Sequence, residues 1–156
     1  MRRNDRAVTD PTEIADIMSR CEVLHLAFHT DTVPYILPVN FGMEPDGMTL
    51  YIHGAMEGTK YAVLARDNRA SFELDCSHGL VLEAYSGNCS MNYESVIGWG
   101  YIEELTGEAD KRHALDLIMQ HYRGEDFPYC EAVIPCTRIL CLRVQKRTAK
   151  RRKKMM

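Results

Sequence analysis

The chain has 156 residues, of which 46% are hydrophobic, and this is enough for one compact domain with a single core. No run approaches the ~20 apolar residues that a membrane-spanning helix needs. The polar segment 1–6 also lacks the apolar stretch of a signal peptide. These features argue against membrane insertion, and we expect a cytoplasmic location.

The net charge of −3 is unevenly distributed along the chain. Eight basic residues and no acidic ones follow Leu142, whereas the preceding part has eleven basic and 22 acidic residues. An acidic body argues against a specific nucleic-acid-binding surface. We therefore predict a folded domain over 1–144 and a basic, flexible C-terminal tail over 145–156, and prefer a solvated tail to one that binds RNA or anionic lipid.

Hydrophobic periodicity predicts a chain of strands with three helices between them. The predicted elements are, in order, a helix over 11–21, strands over 21–28, 35–42 and 48–55, a helix over 57–67, strands over 69–75 and 92–105, a helix over 109–122 and a strand over 137–144. The segment 76–88 fits either a strand or a loop-borne helical turn. The pattern is typical of a mainly β fold, a six- to seven-stranded antiparallel barrel with flanking helices.

The centre of this plan is a predicted hairpin formed by 35–42 and 48–55, with turn residues at 44–47 between them. Pro38 predicts an edge strand, because proline cannot donate a hydrogen bond to a neighbouring strand. Free backbone groups there are suited to a planar heteroaromatic ligand, although a plain edge strand is also reasonable. After the hairpin, the small residues at 54–55 and Lys60 predict either a phosphate cradle or an ordinary corner with a solvated lysine.

The common catalytic motifs are absent. The sequence contains no glycine-rich dinucleotide loop, phosphate-binding Walker loop, nucleophile elbow or zinc-protease motif. Its six histidines do not fall at metal-ligand spacings, so we predict no metal site. Two glycines, Gly98 and Gly100, flank the single tryptophan, Trp99. Glycine within a strand indicates a bulge or the close approach of a ligand or another backbone.

The order and spacing of four motifs resemble the FMN-binding split-barrel superfamily related to pyridoxamine 5′-phosphate oxidase, specifically its nitroimidazole-resistance-protein-like branch. The motifs are the basic start, 35–41, 50–60 and 93–100. The resemblance implies a homodimer with one FMN in each of two clefts between subunits. The residues it assigns to the cofactor are Pro38, Val39, Asn40, Phe41, Tyr51, Ile52, His53, Lys60, Ser95, Gly98 and Trp99.

The resemblance also implies a function. We expect an FMN-dependent oxidoreductase that acts on a small planar acceptor such as a nitroimidazole or another nitroaromatic. His53 is the single candidate for a catalytic role, with binding of the flavin phosphate as the alternative. The sequence contains no evident arginine cluster for a second phosphate, which argues against vitamin B6 oxidation. A binding or storage protein that holds flavin or haem without turnover is the competing interpretation.

Overall fold

The structure is a computed structural model that describes residues 4–83, 87–124 and 128–152. Its helices are α1 (Pro11–Ser19), α2 (Thr59–Leu64) and α3 (Glu108–Arg123). Its strands are β1 (Ala7–Val8), β2 (Leu24–Phe28), β3 (Tyr35–Val39), β4 (Gly42–Met43), β5 (Thr49–Gly54), β6 (Arg69–Glu83), β7 (Asn88–Leu105) and β8 (Arg138–Arg152). No helix in these three ranges is long and apolar enough to cross a bilayer.

The strands form one antiparallel sheet in the order β3-β2-β6-β7-β8-β5-β4, and β1 pairs with the far end of β8. The edge strands β3 and β4 are separated in the chain by only Asn40 and Phe41. Because so short a link joins them, the two edges of the sheet must approach each other there, and the sheet curls into a barrel that is split at this corner. The predicted fold, an antiparallel split barrel with flanking helices, is confirmed.

Two hydrophobic clusters stabilise the barrel. The larger one fills its interior and includes the alternate residues Leu24, Leu26 and Phe28 of β2, each at most 1% exposed. The smaller one lies between α3 and the opposite face of β5 and β8; its buried members are Tyr51, Ala114, Ile118, Ile139 and Cys141. The middle of β5 is therefore buried on both faces.

The helix ends follow local sequence signals. Asp10 caps α1, since its carboxylate accepts hydrogen bonds from the N–H groups of Thr12 at 2.7 Å and Glu13 at 3.2 Å, and Pro11 occupies the first turn. α3 ends at Gly124, whose φ of 70° is a left-handed conformation that glycine adopts without strain. Both helices were predicted to within two residues at each end.

The central hairpin was predicted incorrectly. Only Gly42 and Met43 pair with β5, whereas all of β3 pairs with β2, and Pro38 lies opposite His25. β3 is an edge strand, and an edge is where a proline is tolerated. After β3, the chain crosses from β2 to β5 at Asn40 and Phe41. The uncertain segment after Cys76 continues β6 as a strand through Glu83, after a bulge between Cys76 and Gly79; residues 84–86 of that prediction lie outside the described residues.

The last strand extends beyond Val144, where it was predicted to end, as far as Arg152. Residues 145–152 are thus not a flexible tail, because they belong to β8 and residues 146–152 pair with β7. Arg151 forms ion pairs with Glu13 of α1 and Glu94 of β7, and Arg143 pairs with Glu103 at 2.8 Å. The charge asymmetry of the sequence is partly neutralised within the fold. Residues 153–156 lie outside the described residues.

Candidate functional site

The split in the barrel brings the first group of predicted site residues, 38–41, to the edge of the sheet. Pro38 and Asn40 are exposed, whereas Val39 packs against the interior cluster and Phe41 is fully buried. The Phe41 N–H donates a hydrogen bond to the Tyr122 hydroxyl at 3.1 Å, and the Phe41 ring lies 4.3 Å from the His121 ring. The corner is therefore held from α3, and only its alternate residues are available to a ligand.

The second group forms a cluster around Lys60 at the start of α2. A β-carbon placed on Gly54 would lie 2.9 Å from the Lys60 Nζ and 2.7 Å from the Tyr61 hydroxyl, so a side chain at Gly54 would fill this space. The Lys60 Nζ lies 4.6 Å from the centre of the Tyr61 ring, and the Arg138 guanidinium lies 3.6 Å from the same ring. Two cations thus lie near one aromatic ring beside a glycine.

These two cations differ in their partners. Arg138 forms an ion pair with Glu104, which raises the pKa of the guanidinium and lowers that of the Glu104 carboxyl. Lys60, in contrast, makes no ion pair with any described residue. The Tyr61 hydroxyl donates to the carbonyl oxygen of Ala55 at 2.6 Å, and burial raises the pKa of Tyr61. The Lys60 ammonium, which has no acidic partner among the described residues, is available to bind an anion.

His53 lies next to Gly54 on β5, but its side chain belongs to the other face of the strand. Successive side chains of a strand point to opposite faces, and Lys60 lies on the Gly54 face. His53 is exposed, is paired in register with Ile139, and makes no hydrogen bond with a described residue. Its ring is thus directed away from the Lys60 ammonium.

Tyr51 and Ile52 are buried, with exposures of 6% and 1%. The Tyr51 hydroxyl donates to Glu44 Oε1 at 2.8 Å, and burial together with this carboxylate raises the pKa of Tyr51 well above its usual range. Ile52 belongs to the interior cluster. The structure gives both side chains a packing role.

The third group, Ser95, Gly98 and Trp99, lies on β7 and apart from Lys60. His53 is opposite Ile139, and Ile139 is opposite Leu105 of β7. Trp99 lies six residues along β7 from Leu105, which is roughly 20 Å at the rise of a strand, and Ser95 lies further away. Within one chain, the structure does not bring this group together with the Lys60 cluster.

Gly98 faces the barrel interior. A β-carbon there would lie 2.5 Å from both the Lys146 carbonyl oxygen and the Phe72 ring. Gly100 is equally close to the Arg143 carbonyl oxygen, at 2.1 Å, beside a bulge in the pairing of β7 with β8. The sequence left open whether these glycines mark a bulge, the approach of a ligand or the approach of another part of the chain. The structure favours a bulge beside Gly100 and close approach of protein groups at both glycines.

Trp99 belongs instead to an exposed apolar surface on the outside of the sheet, which we call the outer face. It comprises outward side chains of β3, β2, β6 and β7, and its large apolar members are Ile36 (62% exposed), Ile97 (54%), Trp99 (39%) and Tyr101 (41%). Ile97, Trp99 and Tyr101 follow one another on the same face of β7, and exposed apolar side chains grouped in this way are typical of a binding or subunit interface. Sequence reasoning selected Trp99 but missed its neighbours, because they come from separate strands.

The fold and these sites together define a split-barrel protein with an unpaired lysine at one end and an apolar outer face. The chain belongs to the pyridoxamine 5′-phosphate oxidase family, since the model of that family matches residues 10–151.

Solved structures support this assignment. A candidate 5-nitroimidazole antibiotic resistance protein from Bacteroides thetaiotaomicron is 30% identical, with 92% of this chain and 85% of that one covered and a TM-score of 0.81. The flavocytochrome Anf3 from Azotobacter vinelandii is 24% identical over 99% of this chain and 72% of that one, with a TM-score of 0.77. An FAD- and haem-binding protein from Mycobacterium smegmatis is 21% identical over 96% and 74%, with a TM-score of 0.79. No curated protein matched the chain.

Proposed function

We propose that the protein is a homodimeric FMN-dependent oxidoreductase that reduces a small planar acceptor, with a nitroimidazole or another nitroaromatic as the substrate class. The observation that carries the proposal is the unpaired Lys60 ammonium beside Gly54, at the end of a barrel of this family. The similarity to a candidate nitroimidazole resistance protein supports the substrate class. FAD appears in the names of the Mycobacterium smegmatis protein and of an FAD-binding protein from Mesorhizobium loti, and this supports a flavin as the class of cofactor.

The residues around Lys60 fit one terminal phosphate. The ammonium is unpaired, and a β-carbon on Gly58 would lie 3.8 Å from it, so the space on this side is open to an anion. A charge-assisted hydrogen bond from Lys60 to phosphate would be stronger than a neutral one. Arg138, 3.6 Å from the centre of the Tyr61 ring, helps to keep that ring in place. One such cradle matches FMN, which carries a single phosphate.

A second subunit would complete the cleft. Trp99 lies roughly 20 Å along β7 from Leu105, which is in register through Ile139 with His53 near the Lys60 end of β5. Pairing of two outer faces would cover Trp99 and Ile97 and bring them to the partner's edge strand. Pockets bury most of a ligand of this size, and the corner of the barrel at Asn40 is exposed in the single chain. We expect sedimentation to give the mass of two chains.

The bound flavin would supply hydride or electron transfer. The chain's own residues would position it: Lys60 at the phosphate and the free backbone of β3 at the ring system, where Pro38 leaves one position without a donor. His53 points away from the phosphate side of β5, so we assign it to proton delivery to the acceptor rather than to phosphate binding. Its nitrogen atoms make no hydrogen bond with a described residue, which leaves them available for this role.

The test is an absorption spectrum of the purified protein, followed by FMN titrations of Lys60→Ala. Loss of the charge-assisted hydrogen bond predicts roughly tenfold to hundredfold weaker binding. Lys60→Arg, which keeps the charge, should lose less. Arg66→Ala is the matched control, because Arg66 lies just beyond α2 but is paired with Asp31 and exposed; its FMN affinity should equal that of the wild type.

Other outcomes would overturn parts of the proposal. A Soret band in place of flavin bands would identify the protein as a haem binder. Tighter binding of FAD than of FMN would contradict the single-phosphate cradle. Equal FMN affinity in Lys60→Ala and wild type would remove Lys60 from the site. A flavin-loaded protein that reduces no nitroaromatic would support the non-catalytic alternative.

A further inference from the structure

A separate cluster of potential metal ligands lies on the outer face, where β2 and β6 are paired. His25 of β2 is directly opposite Glu73 of β6, and Asp75 follows two residues later on the same face of β6. One ligand atom from each of these side chains lies within 4.8 Å of the other two. The cluster lies on β2 and β6, whereas the Lys60 site is built on the end of β5 and on α2, so the two share no residue.

One nitrogen of the His25 imidazole lies beside Glu73 without a well-aligned hydrogen bond. Its Nδ1 atom is shielded from solvent and makes no hydrogen bond with a described residue, although the ring as a whole is 43% exposed. Glu73 Oε2 approaches this nitrogen to 3.3 Å, but without hydrogen-bond alignment. A shielded nitrogen without a partner is unfavourable, and a metal ion bound at Nδ1 would satisfy it.

The two carboxylates give a second reason for a cation. One carboxylate oxygen of Glu73 and one of Asp75 lie within 4.8 Å of each other, so a cation between them would offset the repulsion of two like charges. Asp75 is oriented by His78, whose Nε2 lies 2.6 Å from Asp75 Oδ2. A ligating carboxylate held by an outer residue in this way is a common feature of metal sites.

We propose that His25, Glu73 and Asp75 form a binding site for a divalent transition-metal ion, with zinc as the best match and His78 as the residue that positions Asp75. One imidazole nitrogen and two carboxylate oxygens are ligands that zinc accepts. Ligand atoms of a tetrahedral zinc site lie roughly 3.4 Å apart, close to the 3.3 Å between His25 and Glu73. Glu73 and Asp75 are 37% and 39% exposed in the single chain, so their side chains have room for the remaining adjustment.

The sequence prediction of no metal site overlooked this arrangement because it considered spacing along the chain. His25 and Glu73 are 48 positions apart and become neighbours only through the pairing of β2 with β6. Glu73 and Asp75 are two residues apart, so their side chains lie on the same face of β6. In the sequence this spacing looks the same as the ordinary alternation of polar residues along a strand. The proposal does not depend on flavin binding or on turnover.

The test measures bound zinc in tag-free protein by elemental analysis after gel filtration, and zinc affinity by calorimetry. We expect one zinc per chain for the wild type and at least a tenfold loss of affinity for His25→Ala and Asp75→Asn. His78→Ala should lose affinity by about 10- to 100-fold as a positioning residue, while the zinc stoichiometry at saturation stays at one. His29→Ala is the matched control, since His29 is an exposed histidine beyond the end of the same strand and outside the cluster.

The variants also separate this site from other zinc ligands on the surface. Cys89, Cys130 and Cys136 are exposed thiols and can bind zinc on their own. Zinc binding that is equal in wild type, His25→Ala and Asp75→Asn would assign the metal to those thiols and overturn the proposal. Absence of zinc binding by the folded wild type would overturn it as well, and so would an equal loss in His29→Ala. Circular dichroism verifies that each variant is folded.

Discussion

Replacement of Glu94 by glutamine should destabilise the protein strongly. Glu94 of β7 has a side chain that is only 8% exposed, and it holds groups from three other elements. Arg20, just after α1, donates to Glu94 Oε2 at 2.6 Å, Ser77 of β6 donates to the same oxygen at 2.7 Å, and Arg151 of β8 pairs with Oε1. The variant keeps the shape of the side chain but removes its charge and leaves two arginines facing an amide.

The magnitude follows from the pKa of Glu94. The hydrogen bond from Arg20, followed by those from Ser77 and Arg151, lowers this pKa from 4.5 to about 2. At about 1.4 kcal/mol per pKa unit, this corresponds to about 3 kcal/mol. Arg20 and Arg151 are 38% and 26% exposed, and solvent screening reduces the value to about 2–3 kcal/mol. For a chain of this length, the melting temperature should fall by about 5–10 °C.

The control for this experiment is Glu103→Gln. Glu103 pairs with Arg143 at 2.8 Å, but the two side chains are 53% and 49% exposed, so the loss should stay below about 0.5 kcal/mol. Because the pKa of Glu94 is lowered by folding, its stabilisation is present above pH 4.5 and is lost as pH falls towards 2. Urea unfolding at pH 7 and pH 3 measures both effects. Equal losses in the two variants at pH 7, or a Glu94→Gln loss that does not shrink in acid, would refute the reasoning.

Three further predictions concern a glycine and two histidines. Gly98→Ala should cost about 1–3 kcal/mol, since its β-carbon would meet a carbonyl oxygen and a phenyl ring at 2.5 Å, whereas Gly79→Ala, with its nearest atom at 3.9 Å, should change little in the same thermal melts. Burial lowers the pKa of His121, so this histidine is protonated in the unfolded state before it is protonated in the folded state as pH falls below 6.5. The free energy of unfolding should therefore drop below that pH by at most about 1.4 kcal/mol per pH unit. Urea titrations of His121→Gln should lack this pH-dependent drop. His53→Ala should reduce turnover of a nitroimidazole by about 10²-fold at saturating FMN with unchanged FMN affinity; the opposite result would place His53 at the phosphate, and a variant normal in both would make it structural.

The sequence predicted those elements whose own periodicity or end signals identify them. α1 carries its cap in Asp10 and Pro11, and α3 buries Ala114 and Ile118 on one stripe. The end of β8 was missed because, of residues 145–152, only Ala149 is buried, and the others are polar or charged. What keeps this segment in the sheet is long-range pairing, such as that of Arg151 with Glu13, and no local pattern reveals it.

The candidate site was predictable only where its residues are close in the chain. Gly54 and Lys60 belong to one strand-turn-helix segment, so their proximity could be predicted. Arg138 reaches the same place from β8 and was missed. Tyr51 and Ile52 were placed near the ligand, but α3 covers the face of β5 that a simple barrel would expose. A strand buried on both faces has no alternation to show which side chains point outward.

Pro38 on the edge strand β3 also affects how the protein behaves at high concentration. An exposed edge offers unpaired backbone groups to strands of other molecules, and this is a route to aggregation. An incoming strand would find no N–H at Pro38, and the edge ends one residue later, at Val39. This short, interrupted edge thus discourages the sheet from continuing into a neighbouring molecule.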